Sequence, residues 1–313
     1  TLVNNTLTLT AVATINGFAI EAKGNLVFTD TSWAGTSKIL VNGTLDQNVS
    51  GVGNASDLEI NKLSGNLIFN SSIAIAKKWN HIAGSIIWNN NTVTINGAAV
   101  TIVSGNFFNL TLNASTLVLT VTNNTIVNNT LTLTALVTIN GSPIEAKGNM
   151  VFTDTSWNGT GRLLVNGTVD QNVSGVGDVS DLEINKASGN LIFNSSVVVS
   201  RKWTHTTGSI VWNSNAVAFN GATGTIVNGN FYNLVLNGTS LILTITNNTI
   251  VNNLLTATAL ATLNGSPVEV RGNVVLTDTS WGGTSKLLFN GTGLQTNTGA
   301  GVCGVTMDVN KTS

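Results

Sequence analysis

The chain has 313 residues, of which 9% are charged, whereas an average soluble domain has about 25%. Its formal net charge of −1 provides no attraction for nucleic acid or for an anionic lipid surface, so we expect neither partner. The single cysteine, Cys303, excludes an internal disulfide, and no apolar run reaches the ~18 residues that span a bilayer, so we expect no membrane insertion. With 32 glycines, two prolines and abundant Thr and Asn, the composition predicts strands and turns with little helix.

The first predicted strands lie in the segment TLVNNTLTLTAVATING, at residues 1–17. This segment returns almost unchanged at residues 125–141 and more loosely at 249–265, a spacing of 124 residues both times (125 − 1 and 249 − 125). The repeat therefore divides the chain into copies 1–124 and 125–248 and a partial copy, 249–313.

Within the first copy, short runs of β-forming residues are separated by Asn-Gly or Ser-Gly turns. In Leu7 to Thr10, apolar residues alternate with threonines, which places one face inward and a threonine-rich face outward. A weaker half-repeat relates residues 42–61 to residues 96–113, so the smallest module is much shorter than 124 residues. The predicted strands of about five residues begin, in chain order, at Asn25, Lys38, Asp57, Asn66, Thr92, Asn109 and Thr116.

A module this small cannot bury its own apolar face, and stacking on a similar neighbour covers it. We therefore predict an all-β fold, a continuous β-solenoid of the parallel β-helix type, with coils of roughly twenty residues that rise about 4.8 Å each. The alternative is a series of antiparallel β-sandwich domains, which Asn-Gly hairpin turns would suit. The solenoid is favoured because a half-repeat of 62 residues (124/2) is small for a sandwich, and no change of composition marks a linker.

Two long segments, residues 42–72 and 166–196, share the pattern NGT…DLEINK.SGNLIFNSS. This pattern resembles the repeats of long secreted surface proteins of bacteria and archaea, namely adhesins of the filamentous haemagglutinin type and extracellular archaeal filament proteins. The resemblance implies an extracellular or cell-surface location and a β-helical stalk or fibre, and it assigns no ligand. The chain lacks the calcium-binding nonapeptides of toxin-type β-rolls.

Neither end of the sequence shows a polar cap of the kind that protects the edge strand of a solenoid. We expect either that the residues belong to a longer array or that open β edges pair with other subunits. The leading hypothesis is a non-enzymatic extracellular structural protein that forms or extends a cell-surface fibre, filament or sheath. The alternatives are a glycan-binding adhesin stalk and a viral tail fibre or spike.

The charged residues give no sign of a catalytic centre. Every basic residue recurs in register between the copies, as do all the acids except Asp178, whereas an active site is normally a single constellation. We therefore predict no catalytic residue, no metal site and no cofactor. His81 and His205 occupy equivalent places and are interpreted as surface or turn residues, and Glu21 and Lys23, two residues apart on one strand face, predict an ion pair.

Many asparagines lie in N-x-[ST] sequons, which accept glycans in secreted chains. Asparagine equally serves turns and hydrogen-bonded ladders, so both interpretations remain open. The candidate glycosylation sites are Asn4, Asn42, Asn48, Asn54, Asn70, Asn109, Asn113, Asn128, Asn166, Asn172, Asn194, Asn237 and Asn290.

The repeated motif TDTSW combines an acid, hydroxyl groups and a tryptophan, a mixture that suits contact with surface glycans. A recurring tryptophan also suits the core or a corner of a coil. The residues concerned are Asp30, Trp33, Asp154, Trp157, Asp278 and Trp281. Cys303 is interpreted as a free thiol, an intermolecular bridge or a buried cysteine.

Overall fold

The structure is a computed structural model that describes residues 1–11, 13–29, 33–153, 157–277 and 280–311. The described residues form 35 β-strands and no helix. They divide into two compact units: the first unit contains Thr1–Thr155 and Gly159–Gly161, and the second contains Ser156–Asn158 and Arg162–Ser313. Each unit is a parallel β-solenoid, and the two together have about 15 coils. The predicted all-β solenoid is confirmed, while the boundary between the units does not coincide with a boundary between the 124-residue copies.

The strands of the first unit range from two to 16 residues in length. They are β1 (Leu2–Val3), β2 (Leu7–Leu9), β3 (Ala13–Thr14), β4 (Ile20–Ala22), β5 (Leu26–Phe28), β6 (Trp33–Ala34), β7 (Ile39–Val41), β8 (Gln47–Ser50), β9 (Asn54–Phe69), β10 (Ile73–Ile87), β11 (Thr92–Ile95), β12 (Ala99–Leu112), β13 (Leu117–Val121), β14 (Thr125–Leu133), β15 (Val137–Gly141), β16 (Ile144–Ala146) and β17 (Asn149–Phe152).

The second unit again contains two long neighbouring strands, but the stretch equivalent to β12 is divided into two shorter strands. Its strands are β18 (Trp157–Asn158), β19 (Arg162–Val165), β20 (Gln171–Gly175), β21 (Asp178–Phe193), β22 (Val197–Val211), β23 (Ala216–Phe219), β24 (Thr223–Val227), β25 (Gly229–Leu236), β26 (Leu241–Ile245), β27 (Thr249–Ala257), β28 (Ala261–Gly265), β29 (Val268–Val270), β30 (Asn273–Leu276), β31 (Ser280–Gly282), β32 (Lys286–Phe289), β33 (Asn297–Thr298), β34 (Val302–Cys303) and β35 (Thr306–Val309).

Strands pair with the equivalent strand of the next coil, and the pairing is parallel. In the first unit β1 pairs with β4, β4 with β7 and β7 with β9 along one face, and β2, β5 and β8 follow one another on a second face. Leu2 is opposite Glu21 and Ile39 is opposite Leu58, so these coils are 19 residues apart (21 − 2 and 58 − 39). The expected coil length is therefore confirmed, and the antiparallel sandwich alternative is wrong.

Alternation along each strand sends every second side chain into the solenoid. Ile39, Leu58, Trp79 and Ile102 are opposite one another on successive coils and are each fully buried. Burial of such a side chain stabilises the fold by about 1.5–3 kcal/mol relative to exposure. The core is thus a set of columns in which each apolar side chain covers the one before it.

Each unit also contains a cluster of four aromatic rings. In the first unit Trp88 stacks on Phe69 with ring centroids 4.7 Å apart, and Trp79 lies 5.1 Å from Phe107. Offset and tilted contacts of this kind each add about 0.5–1.5 kcal/mol beyond the buried area. Phe193, Trp203, Trp212 and Phe231 repeat the cluster in the second unit, with Trp212 4.8 Å from Phe193.

Some corners require glycine. Gly51 has φ +93°, a left-handed conformation that other residues rarely adopt, and a Cβ there would lie 1.7 Å from Phe28 O of the preceding coil. The coils therefore approach one another too closely at this corner for any side chain. Within the described ranges, no helix has the length and apolar character needed to cross a bilayer.

Candidate functional site

A lysine is buried at an equivalent place in each unit. In the first unit Lys62 of β9 has 2% of its surface exposed. Its Nζ donates hydrogen bonds to Gly43 O (2.6 Å), Leu45 O (2.9 Å) and Gln47 Oε1 (2.7 Å). An ammonium group has three N–H donors, so all of them are used.

Gln47 extends this network to the coil before it. Its Oε1 also accepts a hydrogen bond from Gly43 N (2.8 Å), and its Nε2 donates to Ala22 O (3.0 Å) and Gly24 O (2.5 Å). Two side chains therefore connect three successive coils through buried and partly buried hydrogen bonds. We call Lys62, Gln47 and the carbonyl groups of Gly43 and Leu45 the buried-lysine site.

The second unit contains the same arrangement. Lys186, 1% exposed, donates to Gly167 O (2.7 Å), Val169 O (2.9 Å) and Gln171 Oε1 (2.6 Å). Gln171 Oε1 again accepts from the backbone, here from Gly167 N at 2.8 Å. The same three acceptors therefore bind the buried lysine in both units.

Strand alternation explains why a lysine lies inside. Leu58, Ile60 and Lys62 are two residues apart on β9, and all three are buried. The side chain therefore continues the inward face of the strand to its corner, where backbone carbonyl groups of the previous coil replace apolar neighbours. A buried ammonium needs such partners, because an unpaired buried charge is very costly.

Burial lowers the pKa of Lys62 and of Lys186 below the usual 10.5, while the carboxylates of Asp46 and Asp170 oppose that change. A lysine with a lowered pKa can act as a nucleophile when its nitrogen is accessible. Here the nitrogen is covered and its donors are occupied. The site consequently holds successive coils together through hydrogen bonds.

Open grooves of about 590 Å³ and 540 Å³ lie beside the two buried lysines. The first is lined by Lys62 to Asn66 and by Ala83 to Ser85, and the second by the equivalent residues of the other copy. Apart from the lysine, the described residues that line these grooves have no titratable side chain.

The outward faces of both units carry a group of charged side chains. In the second unit Arg162 forms an ion pair with Glu183, and Arg201 binds Asp181 through Nε to Oδ1 (3.0 Å) and Nη2 to Oδ2 (2.7 Å). Lys202 is opposite Asp181 on the next coil. A bidentate contact is the strongest geometry available to an arginine and a carboxylate.

The first unit has a different arrangement at the equivalent positions. Lys38 binds Glu59 at 2.7 Å, and Lys77, which replaces the arginine, donates to Gly35 O at 2.5 Å. Asp57 is therefore held by no arginine, and burial raises its pKa although Lys78 and Lys38 act in the opposite direction. Burial also acts to raise the pKa of Glu59, but its hydrogen bonds from Lys38 and Asn80 and the nearby positive charges outweigh burial and lower it.

The predicted ion pair between Lys23 and Glu21 is present at 3.7 Å, and Lys147 and Glu145 form its equivalent at 3.3 Å. Partly exposed pairs like these contribute only about 0.2–1 kcal/mol. His81 Nε2 lies 2.8 Å from Gly84 O, and His205 makes the same contact with Gly208 O; both histidines are half-buried and lie within the long strands β10 and β22. Among the residues that the structure describes, no group of three or more His, Cys, Asp or Glu could hold a metal ion.

The tryptophans proposed for glycan contact are buried. Trp33, Trp157 and Trp281 are exposed by 2%, 0% and 2%, so no ring face is available for a sugar to stack on. Their place in the core agrees with the other interpretation of the recurring tryptophan. Asp30, Asp154 and Asp278 lie outside the described residues, and their contact with a glycan stays a prediction.

Several sequon asparagines form ladders between coils. Asn70 Nδ2 donates to Asn48 Oδ1 (2.9 Å), and Asn48 Nδ2 donates to Asn25 Oδ1 (3.4 Å). Similar inter-coil bonds involve the Nδ2 atoms of Asn42, Asn109, Asn128 and Asn194. Asn4, Asn113 and Asn237 are exposed, Asn54, Asn166, Asn172 and Asn290 are half-buried, and glycosylation of any of the thirteen stays a prediction.

Cys303 is a free, half-buried thiol whose Sγ lies 3.8 Å from Val305 O. Burial raises the pKa of this thiol.

Comparison with known protein families, curated proteins and solved structures finds no match to this chain. The fold assignment therefore rests on the structure.

Sequence reasoning missed the buried-lysine site, although a signal for it exists. The pairs Gln47 with Lys62 and Gln171 with Lys186 are each 15 residues apart. Both lysines also continue the inward alternation of an apolar strand. A charged residue in such a position, in a chain with so few charges, indicates a buried polar contact.

Proposed function

We propose that this chain is an extracellular structural protein that forms or extends a cell-surface fibre, filament or sheath and has no enzymatic activity. Such a protein would act through its shape. Its coils cover one another's apolar faces and are joined by backbone hydrogen bonds between parallel strands. Each such bond contributes only about 1 kcal/mol net, but their number grows with every coil.

The observation that carries this proposal is the repetition of internal, non-chemical contacts. The two buried-lysine sites use equivalent residues with closely matching distances, and the four-ring aromatic clusters recur in the same way. Repeated internal contacts that join the coils favour a mechanical role, because an enzyme needs one set of accessible catalytic groups. Asparagine ladders on the outer surface add further contacts between coils.

Immunogold electron microscopy of intact source cells, with antibodies raised against the purified chain, tests the proposal. We expect label along filaments or a sheath outside the cell envelope. Fibre diffraction of the isolated material should show an axial reflection near 4.7–4.8 Å, the spacing of strands stacked along a solenoid. Label confined to the cell interior, or catalytic turnover of a polymer by the purified chain, would overturn the proposal.

A further inference from the structure

We propose that the second unit binds a carboxylate-bearing polysaccharide at a shallow groove whose cation is Lys202. The groove has a volume of about 350 Å³ and lies on the outward face of the solenoid. It is lined by Asp181, Arg201, Lys202, Thr223, Gly224, Thr225, Ile242 and Thr244. The proposal concerns a ligand and is independent of whether the chain forms a fibre.

Strand register places the groove side chains in two columns. Asp181, Lys202, Thr225 and Thr244 are opposite one another on successive coils. Thr223 and Ile242 form the second column, two residues away on the same strand faces. Coils are about 4.8 Å apart, so one cation and three hydroxyl groups lie within reach of a single short stretch of polymer.

Lys202 is available because its acidic neighbours are already bound. Arg201 holds the Asp181 carboxylate by two hydrogen bonds, and Arg162 holds Glu183. Together with Lys202, these two arginines and two acids carry three positive and two negative charges. The remaining positive charge belongs to an exposed ammonium group, which attracts a carboxylate.

The rest of the lining suits a sugar. Threonine hydroxyl groups both donate and accept hydrogen bonds, as sugar hydroxyl groups require. Ile242 is 48% exposed and offers an apolar surface to the C–H face of a pyranose ring. One cation, several hydroxyl groups and one apolar contact together match a uronic acid residue better than a simple anion.

The first unit contains a weaker version of the same face. Lys78, Thr101 and Thr120 form the corresponding column, and Val118, 45% exposed, takes the place of Ile242. Here Lys77 donates to a backbone carbonyl and leaves Asp57 without an arginine, so Asp57 competes for Lys78. We therefore expect the second unit to dominate binding.

The test is affinity electrophoresis of the purified chain in gels that contain polygalacturonate, with fully methyl-esterified pectin as the neutral control. We expect retardation by polygalacturonate alone. Lys202→Gln should weaken the affinity by about two- to fivefold, the range typical of one exposed ion pair, while Lys202→Arg retains it. Lys78→Gln should have a smaller effect, and Lys286→Gln, at an exposed lysine paired with Asp308, should have none.

Arg201→Lys gives the second unit the lysine found at the equivalent position of the first unit, and it should reduce binding because Asp181 then competes for Lys202. Circular dichroism of each variant confirms that the solenoid is intact. Equal retardation by the methyl ester, equal retardation by polyglutamate, or unchanged binding by Lys202→Gln would each overturn the proposal. None of these results bears on the location tested by immunogold labelling.

Discussion

Replacement of Lys62 by methionine tests whether the buried-lysine site stabilises the fold. Methionine keeps a long unbranched side chain but has no donor, so Gly43 O and Leu45 O lose their lysine partner. Gln47 Oε1 keeps its bond from Gly43 N. An orphaned buried acceptor costs about 1–3 kcal/mol. Gly43 O is such an acceptor, whereas Leu45 O is only partly buried, so the loss of its partner costs less.

The gain from removing a buried charge offsets part of this cost. Exchange of a buried ion pair for apolar residues can be neutral or stabilising when both partners are replaced. Here the partners are backbone carbonyl groups, which no substitution removes. We therefore expect Lys62→Met to lower the free energy of unfolding by about 1–3 kcal/mol, and Lys186→Met to act similarly.

Denaturant titrations followed by tryptophan fluorescence and circular dichroism measure the effect. Lys23→Met is the matched control, because Lys23 is 37% exposed and its ion pair with Glu21 is 3.7 Å long. That change should stay within ~0.5 kcal/mol. A Lys62→Met protein at least as stable as the wild type would refute the reasoning, since the carbonyl groups would then not depend on the lysine.

Three further predictions concern pH, the close approach of coils and the thiol. Burial lowers the pKa of Lys62, so between that lowered pKa and 10.5 the native state binds fewer protons than the unfolded state. The free energy of unfolding should therefore rise with pH in this window. Lys62→Met should reduce the slope of that rise. Gly51→Ala should lower the free energy of unfolding by more than ~2 kcal/mol, since its Cβ meets backbone, whereas Gly293→Ala, with nothing within 4 Å, should stay within about 0.5 kcal/mol in the same titration. Iodoacetamide should alkylate Cys303 more slowly in the folded chain than in denaturant at pH 8, because burial raises the pKa of the thiol; equal rates would contradict its burial.

The strands were predictable because alternation is a local property. The sequence runs that begin at Asp57 and Asn66 both fall within β9, and the predicted run at Thr92 is β11. Parallel stacking followed from the repeat, since a module of a few strands must cover its apolar face with a copy of itself. These features depend on residues that are neighbours in sequence or one coil apart.

The buried-lysine site and the groove of the second unit depend on register between coils, which the sequence pattern does not specify. Lys62 meets Gln47 only because their coils are aligned at that corner, and Lys202 is opposite Thr225 after an offset of 23 residues (225 − 202). The burial of Trp33 was also not decided by its motif, since an acid, hydroxyl groups and a tryptophan suit a core corner as well as a sugar site. Such contacts are set by the packing of whole coils.

Comparison of the two copies distinguishes residues that the fold requires from exposed residues that are free to differ. Both copies keep the inward lysine and glutamine, since the loss of either would leave acceptors or donors unpaired inside the solenoid. On the outward face the copies differ: Arg201 replaces Lys77, and Thr223 replaces Ala99. Each exchange adds hydrogen-bonding capacity to an exposed groove and nothing to the core. These two exchanges are the ones that the proposed acidic-sugar site of the second unit would use, and the first unit, which lacks both, is expected to bind more weakly.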